Sequence, residues 1–354
     1  MEKLKLDSHK LIYHIPRLCQ WYKGNDVCPI YVEIGLYGGC NHRCIFCAFD
    51  FLKYKPDLLS LEIVKRFVIQ AAEKGVKSIL YSGEGEPLLH KNIDKIIKFT
   101  KNNNIDVALS TNGSMLDQEK AEKILPYLSW LRISLNAGTK KGYALIHGAK
   151  EDDFVTVLNN IEKAVEIRNK YKFKCTIGVQ FLLIPQNFKE VFRLISALND
   201  SGIDYLAVKP YSAHPSSKKR AVFVLTDKDL YGIEKKIDEL SQKKIKIIFR
   251  HRSVIKIKKS KPYRRCLGLP FIAHISADGS VYPCNNFVGN KDFAFGNMCS
   301  QNFEEIWQGP KRKSIMQTIE GQWNVEKCRK SCRIDEINRY LWELRHPNKH
   351  VNFI

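Results

Sequence analysis

Residues 30–50 read IYVEIGLYGGCNHRCIFCAFD, an apolar segment followed at once by the three cysteines Cys40, Cys44 and Cys47. The apolar segment is typical of a buried strand. The CxxxCxxC spacing in one tight loop lets three thiolates face one metal centre, whereas a structural zinc uses four ligands and a disulfide needs two. Three thiolates on a four-iron cluster leave one iron open for a small-molecule ligand. The loop therefore predicts a catalytic iron–sulfur site.

Downstream of this loop the chain alternates short apolar runs with amphipathic stretches. Strands are predicted over residues 30–37, 76–83, 105–113, 128–138, 173–185 and 203–212. Helices are predicted over residues 61–75, 92–103, 117–127, 152–171 and 187–202. These βα repeats imply a parallel α/β sheet with right-handed crossovers, in which the chemistry lies at the carboxyl ends of the strands.

One cysteine and several polar residues coincide with those strand ends. The residues at or near the six ends are Cys40, Glu86, Asn112, Ser134, Gln180 and Lys209. Such agreement is harder to obtain by chance than any single motif. The sequence therefore predicts one site along the carboxyl edge of the sheet.

The pattern changes after residue 210. We divide the chain into an N-terminal extension, a core, a helix–strand linker and a cysteine-rich domain ending in a helix, over residues 1–29, 30–225, 226–260 and 261–354. The linker is expected to contain a helix over 226–242 and a strand over 244–250. These elements lead into the basic segment KIKKSKPYRR, residues 256–265.

The last part of the chain contains five of the eleven cysteines. The segment HISADGSVYPC predicts a β-hairpin that turns at Asp278-Gly279 and delivers Cys284 at the end of its second strand. Cys328 and Cys332 are four residues apart. That spacing corresponds to one helical turn, so both thiols can face one metal.

The charge of the chain favours an anionic partner. Lysine and arginine number 58 against 37 acidic residues, a net charge of +21. Basic clusters lie at residues 217–220, 249–252, 256–265 and 311–313. Candidate partners are a phosphorylated or carboxylated small molecule, an acidic redox protein or nucleic acid, and an ordinary solvated surface is an equal alternative. Because no helix-turn-helix, RNA-recognition or zinc-finger pattern is present, nucleic acid is not favoured.

The sequence also predicts a cytoplasmic protein without a membrane partner. Its start, MEKLKLDSHKLIYH, lacks the apolar core of a secretory signal. The longest apolar runs, such as FLLIP at 181–185, are too short to span a bilayer. In a reducing compartment the cysteines are better explained as metal ligands than as disulfides.

The segment CNHRCIFC resembles the signature of radical S-adenosylmethionine (radical SAM) enzymes, CxxxCxφC with an aromatic φ, and the resemblance extends over about residues 30–215. It implies a partial (β/α)6 TIM-like barrel in which Cys40, Cys44 and Cys47 ligate a [4Fe-4S] cluster. The methionine moiety of SAM would chelate the fourth iron. One electron, from a flavodoxin- or ferredoxin-type donor, would then cleave SAM to methionine and a 5′-deoxyadenosyl radical.

The same resemblance suggests a set of SAM contacts. YSGEGEPLL, residues 81–89, is similar to the family's GGEP segment, although Glu84 stands where the first glycine is usual. Glu86 would accept hydrogen bonds from the SAM ammonium, and Phe46 would pack near the adenine. In RISLNAG, Asn136 replaces the more usual aspartate. The implied cofactor-binding residues are Phe46, Gly85, Glu86, Pro87, Asn112, Ser134 and Gln180, with core filling an equal alternative for Gln180.

Substrate-binding candidates crowd the end of the sixth strand, in VKPYSAHP at 208–215. Lys209 could meet a phosphate or carboxylate, and Tyr211 or His214 could act as an acid or base. An ordinary surface loop is an equal alternative there. His147, in YALIHG, carries the same ambiguity between a functional and a structural role.

The C-terminal cysteines resemble the SPASM/twitch extension of radical SAM enzymes. Five cysteines cannot fully ligate two [4Fe-4S] clusters, so one auxiliary cluster bound by Cys266, Cys284, Cys328 and Cys332 is expected. The closing pair is CxxxC rather than the family's CxxC, and zinc on the same four thiolates is the alternative. Cys299 belongs to neither group of predicted ligands. Its possible roles are a small hydrophobic residue, a reserve ligand and a hydrogen donor to a substrate radical.

We therefore expect a radical SAM oxidoreductase that oxidises or rearranges a polar, anionic small molecule, such as a sugar or nucleotide-linked sugar, with help from the auxiliary cluster. One alternative is a peptide- or protein-modifying enzyme, although little chain precedes the barrel for a leader-binding domain. A second is a redox-neutral epimerase with Cys299 as hydrogen donor. From a different class, a zinc-stapled nucleic-acid-binding module is the remaining alternative.

Overall fold

Ten strands form one sheet in the computed structural model of the chain, which describes residues 9–217, 226–240 and 244–353. In chain order the strands are β1 Tyr31–Gly35, β2 Ser78–Ser82, β3 Asp106–Thr111, β4 Trp130–Ser134, β5 Thr176–Leu183, β6 Tyr205–Pro210, β7 Ile247–Phe249, β8 Ile272–Ile275, β9 Ser280–Tyr282 and β10 Gly296–Asn297. Their order across the sheet is β10-β9-β8-β1-β2-β3-β4-β5-β6-β7. Neighbours from β8 through β1 to β7 are parallel, while β9 and β10 are antiparallel.

Helices connect these strands. In chain order they are α1 Ile15–Tyr22, α2 Leu61–Glu73, α3 Ile93–Asn102, α4 Gln118–Ile124, α5 Lys140–His147, α6 Asp153–Lys170, α7 Glu190–Leu198, α8 Asp227–Leu240, α9 His251–Lys258, α10 Phe303–Gln308, α11 Pro310–Gln322 and α12 Asp335–Arg345. Side-chain caps fix several starts: Ser60, Asp117 and Thr139 each accept a hydrogen bond from a backbone N–H in the first turn that follows. The expected α/β fold with a partial TIM-like barrel is confirmed. Within the described ranges, no helix is both long and apolar enough to cross a membrane.

The strands separate an apolar outer layer from a polar lumen. Along β4, Leu131 and Ile133 are fully buried against the helices. Successive side chains alternate across a strand, so Arg132 and Ser134 face the opposite side, the lumen. The apolar side chains between sheet and helices form one continuous core that also includes the cysteine-rich region. The fold thus places polar groups inside the barrel, at the carboxyl ends of its strands.

Residues 226–260 are more than a linker. They contain the expected helix and strand, but β7 pairs in parallel with β6 and extends the barrel sheet. A further helix, α9, covers the start of the segment predicted as a basic linker. Its Lys256 lies 3.1 Å from the carboxylate of Asp335 and 2.8 Å from that of Glu336, and both acids belong to α12. A charge that was predicted to lie in a basic linker is therefore paired within the fold. The predicted basic cluster at 217–220 lies largely outside the described residues, as do 241 and 242 of the predicted helix.

The C-terminal region is built onto the barrel. Strand β8 pairs with β1, and the predicted hairpin forms as β8 and β9 with Gly279 at a φ of +83°. On the other face α10 packs on α2, where the ring of Phe303 meets Phe67 edge-on at 5.0 Å. Trp307 donates a hydrogen bond to the carbonyl of Val27 at 3.0 Å. The two regions therefore share one sheet and one core.

Truncating Phe303 tests this packing. Because its ring is fully buried against Phe67, we expect Phe303→Ala to lower the free energy of unfolding by about 3–5 kcal/mol. Phe353→Ala is the matched control, since that side chain is 84% exposed. Thermal and denaturant unfolding of the two variants would measure the difference, and equal effects would contradict the shared core.

Candidate active site

The three cysteines of the predicted cluster loop lie between β1 and α2, and the end of α5 holds this loop in place. The backbone N–H groups of Arg43 and Ile45 donate to the carbonyls of His147 and Ile146, at 2.9 and 3.0 Å. Gly148 follows α5 with a φ of +56°, and a Cβ there would lie 2.5 Å from the carbonyl oxygen of Arg43. Close backbone contact thus fixes the loop that presents the thiols.

The thiols lie close enough to affect one another's ionisation. Burial, together with the nearby Glu86 and Cys47, raises the pKa of Cys40 to about 11. Burial and the other two cysteines raise the pKa of Cys44 well above its usual range. Burial and the nearby Cys47 raise the pKa of Tyr54. Three soft sulfur donors gathered in one loop fit an iron–sulfur cluster.

A glycine allows the second strand's end to approach the cluster loop. A Cβ on Gly85 would lie 2.1 Å from the carbonyl oxygen of Tyr37 and 2.3 Å from that of Gly39. Pro87 then starts a short 3-10 helix, Pro87–Leu89. The predicted Gly-Glu-Pro segment therefore lies directly against the loop that carries the cysteines.

Glu86 ties the second strand to the third. Its buried carboxylate accepts hydrogen bonds from the Thr111 hydroxyl at 2.6 Å, the Leu88 N–H at 3.0 Å and the Asn112 N–H at 2.8 Å. Burial nevertheless raises its pKa. A carboxylate offers about four acceptor positions, so one remains for a ligand donor such as an ammonium.

Asn112 connects the third strand to the cluster loop. Its side-chain amide donates to the Asn41 side chain at 2.8 Å, next to Cys40. Its oxygen accepts hydrogen bonds from the N–H and hydroxyl of Ser114, at 2.9 and 2.8 Å. Asn112 therefore lies beside the cluster loop, with its polar atoms partnered by protein, and its contact with SAM stays a prediction.

Ser134 and Gln180 face each other across adjacent strands at the lumen side. They are register partners on β4 and β5, and both are half-buried. Asn136, two residues beyond Ser134, donates to the Ser134 hydroxyl at 3.2 Å. Its own oxygen accepts the Leu182 N–H at 2.6 Å, so this asparagine fastens β4 to β5.

Phe46 and Tyr211 belong to a small apolar cluster next to the cysteine loop, together with Ile146 and Ile184. The Phe46 ring is 8% exposed. It contacts the ring of His147 edge-on at 5.8 Å. A flat apolar ring in this position suits the packing of a purine, which is the role predicted for Phe46.

Cations gather in the lumen around Lys209, near the end of β6. Burial lowers the pKa of Lys209 well below its usual value, and nearby guanidinium charges lower it further. Those guanidinium groups belong to Arg132, Arg329, Arg250 and Arg333. Within the described part of the chain, no carboxylate pairs with Lys209. One of these guanidinium groups has an acidic partner, since Arg333 lies 3.3 Å from the Glu33 carboxylate.

His214 lies between the barrel and the cysteine-rich region. Its Nε2 donates to the Asn285 carbonyl at 3.0 Å, its Nδ1 accepts the Ser216 N–H at 3.1 Å, and its ring stacks on Phe51. Burial lowers its pKa to about 4. Both nitrogens are thus occupied by protein, which favours a structural role. The acid–base roles of Tyr211 and His214 remain predictions.

The four predicted auxiliary ligands come together beside the lumen. Burial, and then the neighbouring cysteines, raise the pKa values of Cys266 and Cys284. Trp323 donates to the Cys328 sulfur at 3.2 Å, and Asn338 donates to the Cys266 sulfur at 3.4 Å. Three neighbouring thiols raise the pKa of Cys284, and they are those of Cys266, Cys328 and Cys332. Their convergence fits one auxiliary cluster.

The prediction that one helical turn separates Cys328 and Cys332 was wrong. Cys328 and Cys332 do not share a helical turn, because they lie in the loop between the short 3-10 helix Val325–Lys327 and α12. That loop bends inward and carries Arg329, whose guanidinium donates to the Ser212 carbonyl at 2.7 Å. Tertiary contact with the barrel, rather than helical periodicity, brings the two thiols together.

Cys299 lies apart from both groups of thiols. It is exposed beside the hairpin turn, where its N–H donates to Asn297 at 2.8 Å and its sulfur lies 3.7 Å from the Asp278 carbonyl. The structure does not bring it to the barrel lumen. Its roles as reserve ligand or hydrogen donor remain predictions.

Glu84 forms a buried link that the sequence analysis had not foreseen. Its carboxylate accepts the Ala277 N–H at 3.2 Å and lies 3.8 Å from Nε2 of His274. It lies over Gly35, where a Cβ would come within 2.0 Å of a Glu84 oxygen. The residue at the usual glycine position thus joins the Gly-Glu-Pro segment to the hairpin of the cysteine-rich region.

Residues 34–198 match the radical SAM superfamily, and residues 266–333 match SPASM, an iron-sulfur cluster-binding domain. The chain is a radical SAM protein. It carries a SPASM domain behind its radical SAM core, as the resemblance implied. This pair of domains implies SAM and [4Fe-4S] clusters as cofactors of the radical SAM protein. The thiol groups described above suit such clusters in number and type.

Similar proteins extend this assignment. A probable GTP 3′,8-cyclase of Saccharolobus solfataricus is 28% identical over 289 residues, which cover 78% of this chain and 90% of that protein. A GTP 3′,8-cyclase of Campylobacter lari is 34% identical over 149 residues, 40% of this chain and 45% of that protein. The first relative is thus similar to most of the chain, and the second to less than half of it.

Two solved structures share the fold. Streptococcus suis SuiB bound to the precursor peptide SuiA has a TM-score of 0.66 at 16% identity and covers 86% of this chain and 71% of its own. Native anSMEcpe with bound AdoMet has a TM-score of 0.60 at 18% identity, over 90% of this chain and 98% of its own. At these identities the likeness shows a common architecture.

Several residues of the site escaped the sequence analysis. Glu33 and Arg132 interrupt apolar strands as single charges, a signal that was available in YVEIG and WLRIS. Arg329 and Arg333 each directly follow a predicted cysteine ligand, Cys328 and Cys332. Their convergence depends on strands and loops that are distant in the chain.

Replacing Gly85 tests the close approach to the cluster loop. Because a Cβ at Gly85 would overlap two backbone carbonyls, we expect Gly85→Ala to displace the loop and to lower both iron content and SAM binding severalfold. Gly321→Ala is the control, since a Cβ there meets nothing within 4 Å. Iron analysis and equilibrium SAM binding measure the effect. Unchanged values in Gly85→Ala would contradict the assigned contact.

Proposed function

We propose that this radical SAM protein acts on a small anionic substrate bound in the barrel lumen, between the two groups of cysteines. The observation that carries the proposal is the set of cations around Lys209, which are half-buried apart from the exposed Arg333. Buried charges are costly unless they are paired, and Lys209 has no paired carboxylate among the described residues. A phosphate or carboxylate in the lumen would supply the missing charge.

The two groups of cysteines support a proposal for the cofactor sites. Cys40, Cys44 and Cys47 would hold the [4Fe-4S] cluster that binds SAM, and the second group of four cysteines would hold one auxiliary [4Fe-4S] cluster. When bound, the first cluster and SAM supply a 5′-deoxyadenosyl radical. The SAM site would be formed by the residues predicted for it, which are Phe46, Gly85, Glu86, Pro87, Asn112, Ser134 and Gln180.

The protein's own contribution is to bind and orient the substrate. Lys209 and Arg132 would hold its anionic group from the barrel side, while Arg329 and Arg333 reach the lumen from the auxiliary loop. Arg333 is held by Glu33 and by the Tyr31 hydroxyl, so its position is set before a ligand binds. Bidentate guanidinium contacts fix the orientation of a phosphate or carboxylate as well as its affinity.

A nucleotide is the substrate class that this lumen fits best. It combines anionic phosphates with a sugar whose carbon–hydrogen bonds are available to a radical. Similar proteins are named GTP 3′,8-cyclases, which supports a purine nucleoside triphosphate as the first compound to test. The proposed outcome is oxidation or rearrangement of the sugar. The auxiliary cluster would lie on the side of the lumen opposite the SAM site.

Peptide modification is the second candidate. A cavity of about 790 Å³ opens between the end of β6 and the auxiliary loop, lined by Tyr211, Ser212, Arg329 and Lys330 among others. That volume would admit an extended peptide side chain with its neighbours. SuiB, which shares the fold, has been solved with a precursor peptide bound. An acidic peptide would use the same cations.

The substrate proposal is tested by exchanging Lys209. In the reconstituted protein we expect GTP or another nucleoside triphosphate to stimulate SAM cleavage, with Lys209→Met weakening its binding 10-fold or more because one buried charge contact is lost. Lys244→Met is the control, since that side chain is 79% exposed and pairs with Asp200. Binding by the uncharged nucleoside at equal strength would contradict an anion site, and stimulation by an acidic peptide alone would favour the second candidate.

The affinity should also depend on pH. Because the pKa of Lys209 is held well below its usual value of 10.5, the free protein loses this charge at a lower pH than an exposed lysine would. An anion binds the charged form, so its affinity should fall as the pH rises through the pKa of Lys209. Lys209→Arg keeps its charge and should remove this dependence. Titration of nucleotide affinity from pH 7 to 10 measures both, and identical profiles would contradict the role of Lys209.

A further inference from the structure

One histidine faces the cysteine loop with a defined tautomer. His147, the last residue of α5, is 1% exposed. Its Nε2 lies 3.0 Å from the backbone nitrogen of Asn136. A backbone N–H can only donate, so Nε2 must accept and carry no proton. In the neutral ring the proton is then on Nδ1, and a charged ring is disfavoured because it would set a second proton on Nε2 against the Asn136 N–H.

The protonated nitrogen points at a predicted cluster ligand. Nδ1 of His147 lies 3.5 Å from Sγ of Cys44, a distance suited to a hydrogen bond to sulfur. The ring stacks on Tyr143 at 4.3 Å and meets Phe46 edge-on, so it cannot easily rotate away. The backbone of the cluster loop is also bonded to the carbonyl of His147. Both the position and the tautomer of the ring are therefore set by the fold.

We propose that His147 is a positioning residue that donates an Nδ1–H···S hydrogen bond to Cys44 and thereby raises the reduction potential of the cluster held by that loop. The inference rests on the proposed cluster ligands. A hydrogen bond to a ligand sulfur withdraws negative charge and stabilises the reduced cluster, which carries one more electron. Asn136, through its backbone N–H, selects the tautomer that can donate.

A competing arrangement uses the same ring as a ligand. His42, Cys44 and His147 place their donor atoms within 4.8 Å of one another, a spacing that could hold a metal ion. His42 lies 3.7 Å from the Asp153 carboxylate. In that arrangement Nδ1 of His147 would bind metal directly and could not donate to sulfur. The strength of the coupling between the ring nitrogen and the reduced cluster distinguishes the hydrogen bond from direct ligation.

The wild-type protein is the first sample. It is labelled with histidine carrying ¹⁵N in the ring, reconstituted anaerobically with iron and sulfide, and reduced without SAM. Pulsed electron paramagnetic resonance should show a weak ¹⁵N coupling to the reduced cluster. We expect this coupling to disappear in His147→Phe and to remain in His42→Phe. No ring coupling in the wild type would overturn the proposal, and so would a strong coupling typical of direct ligation.

The midpoint potential is the second readout. In a redox titration followed by the same signal, His147→Phe should shift to a more negative potential, with iron content confirming that its cluster is intact. His147→Gln, which retains an N–H donor, should recover part of the shift. An unchanged potential in a fully loaded His147→Phe would overturn the inference. A protein that shows the coupling but binds no nucleotide would instead overturn the proposed substrate and leave this hydrogen bond standing.

Discussion

Strand β1 pairs in parallel with β2 on one side and with β8 on the other, and the rest of the molecule depends on this double pairing. The cluster loop leaves the end of β1, the Gly-Glu-Pro segment leaves the end of β2, and the hairpin that carries Cys284 leaves β8. Because the three strands run in the same direction, their carboxyl ends lie along one edge. Glu84 packs over Gly35 and reaches the hairpin, so the three ends are held together by buried contact as well as by hydrogen bonds.

The charge that matters for the proposed substrate is a small part of the total. The net charge of +21 is spread over the chain, and most surface cations are solvated and screened. The cations around Lys209 differ because four of them are half-buried and lie close together, and burial with neighbouring guanidinium charges lowers the pKa values of Lys209 and Arg132. Burial strengthens the interaction of such groups with an anion. Specificity for an anionic ligand therefore rests on these few residues rather than on the overall charge.

The success of sequence reasoning depended on the range of the interactions concerned. The cysteine loop, the strand series and the β8–β9 hairpin were predicted, because local periodicity and turn chemistry determine them. The strand at 244–250 was predicted but assigned to a linker, since only its pairing with β6 shows that β7 extends the barrel sheet. The loop of Cys328 and Cys332 was interpreted through helical spacing, whereas contact with the barrel shapes it. His147 could not be assigned a role, because its partners Cys44 and Asn136 depend on how α5 meets the cluster loop.

The sequence by itself determined the chemistry that the chain can offer: three thiols in one loop, four more towards the C-terminus, and a parallel α/β barrel with polar strand ends. Those features depend only on residue type and short-range spacing. Only the tertiary structure decided that Glu84 joins the two regions, that Nδ1 of His147 faces Cys44, and that one lumen collects Glu33, Arg132, Lys209, Arg329 and Arg333. Each of these depends on groups that are distant in the chain and meet only when the sheet closes around them. No local sequence pattern therefore predicts them.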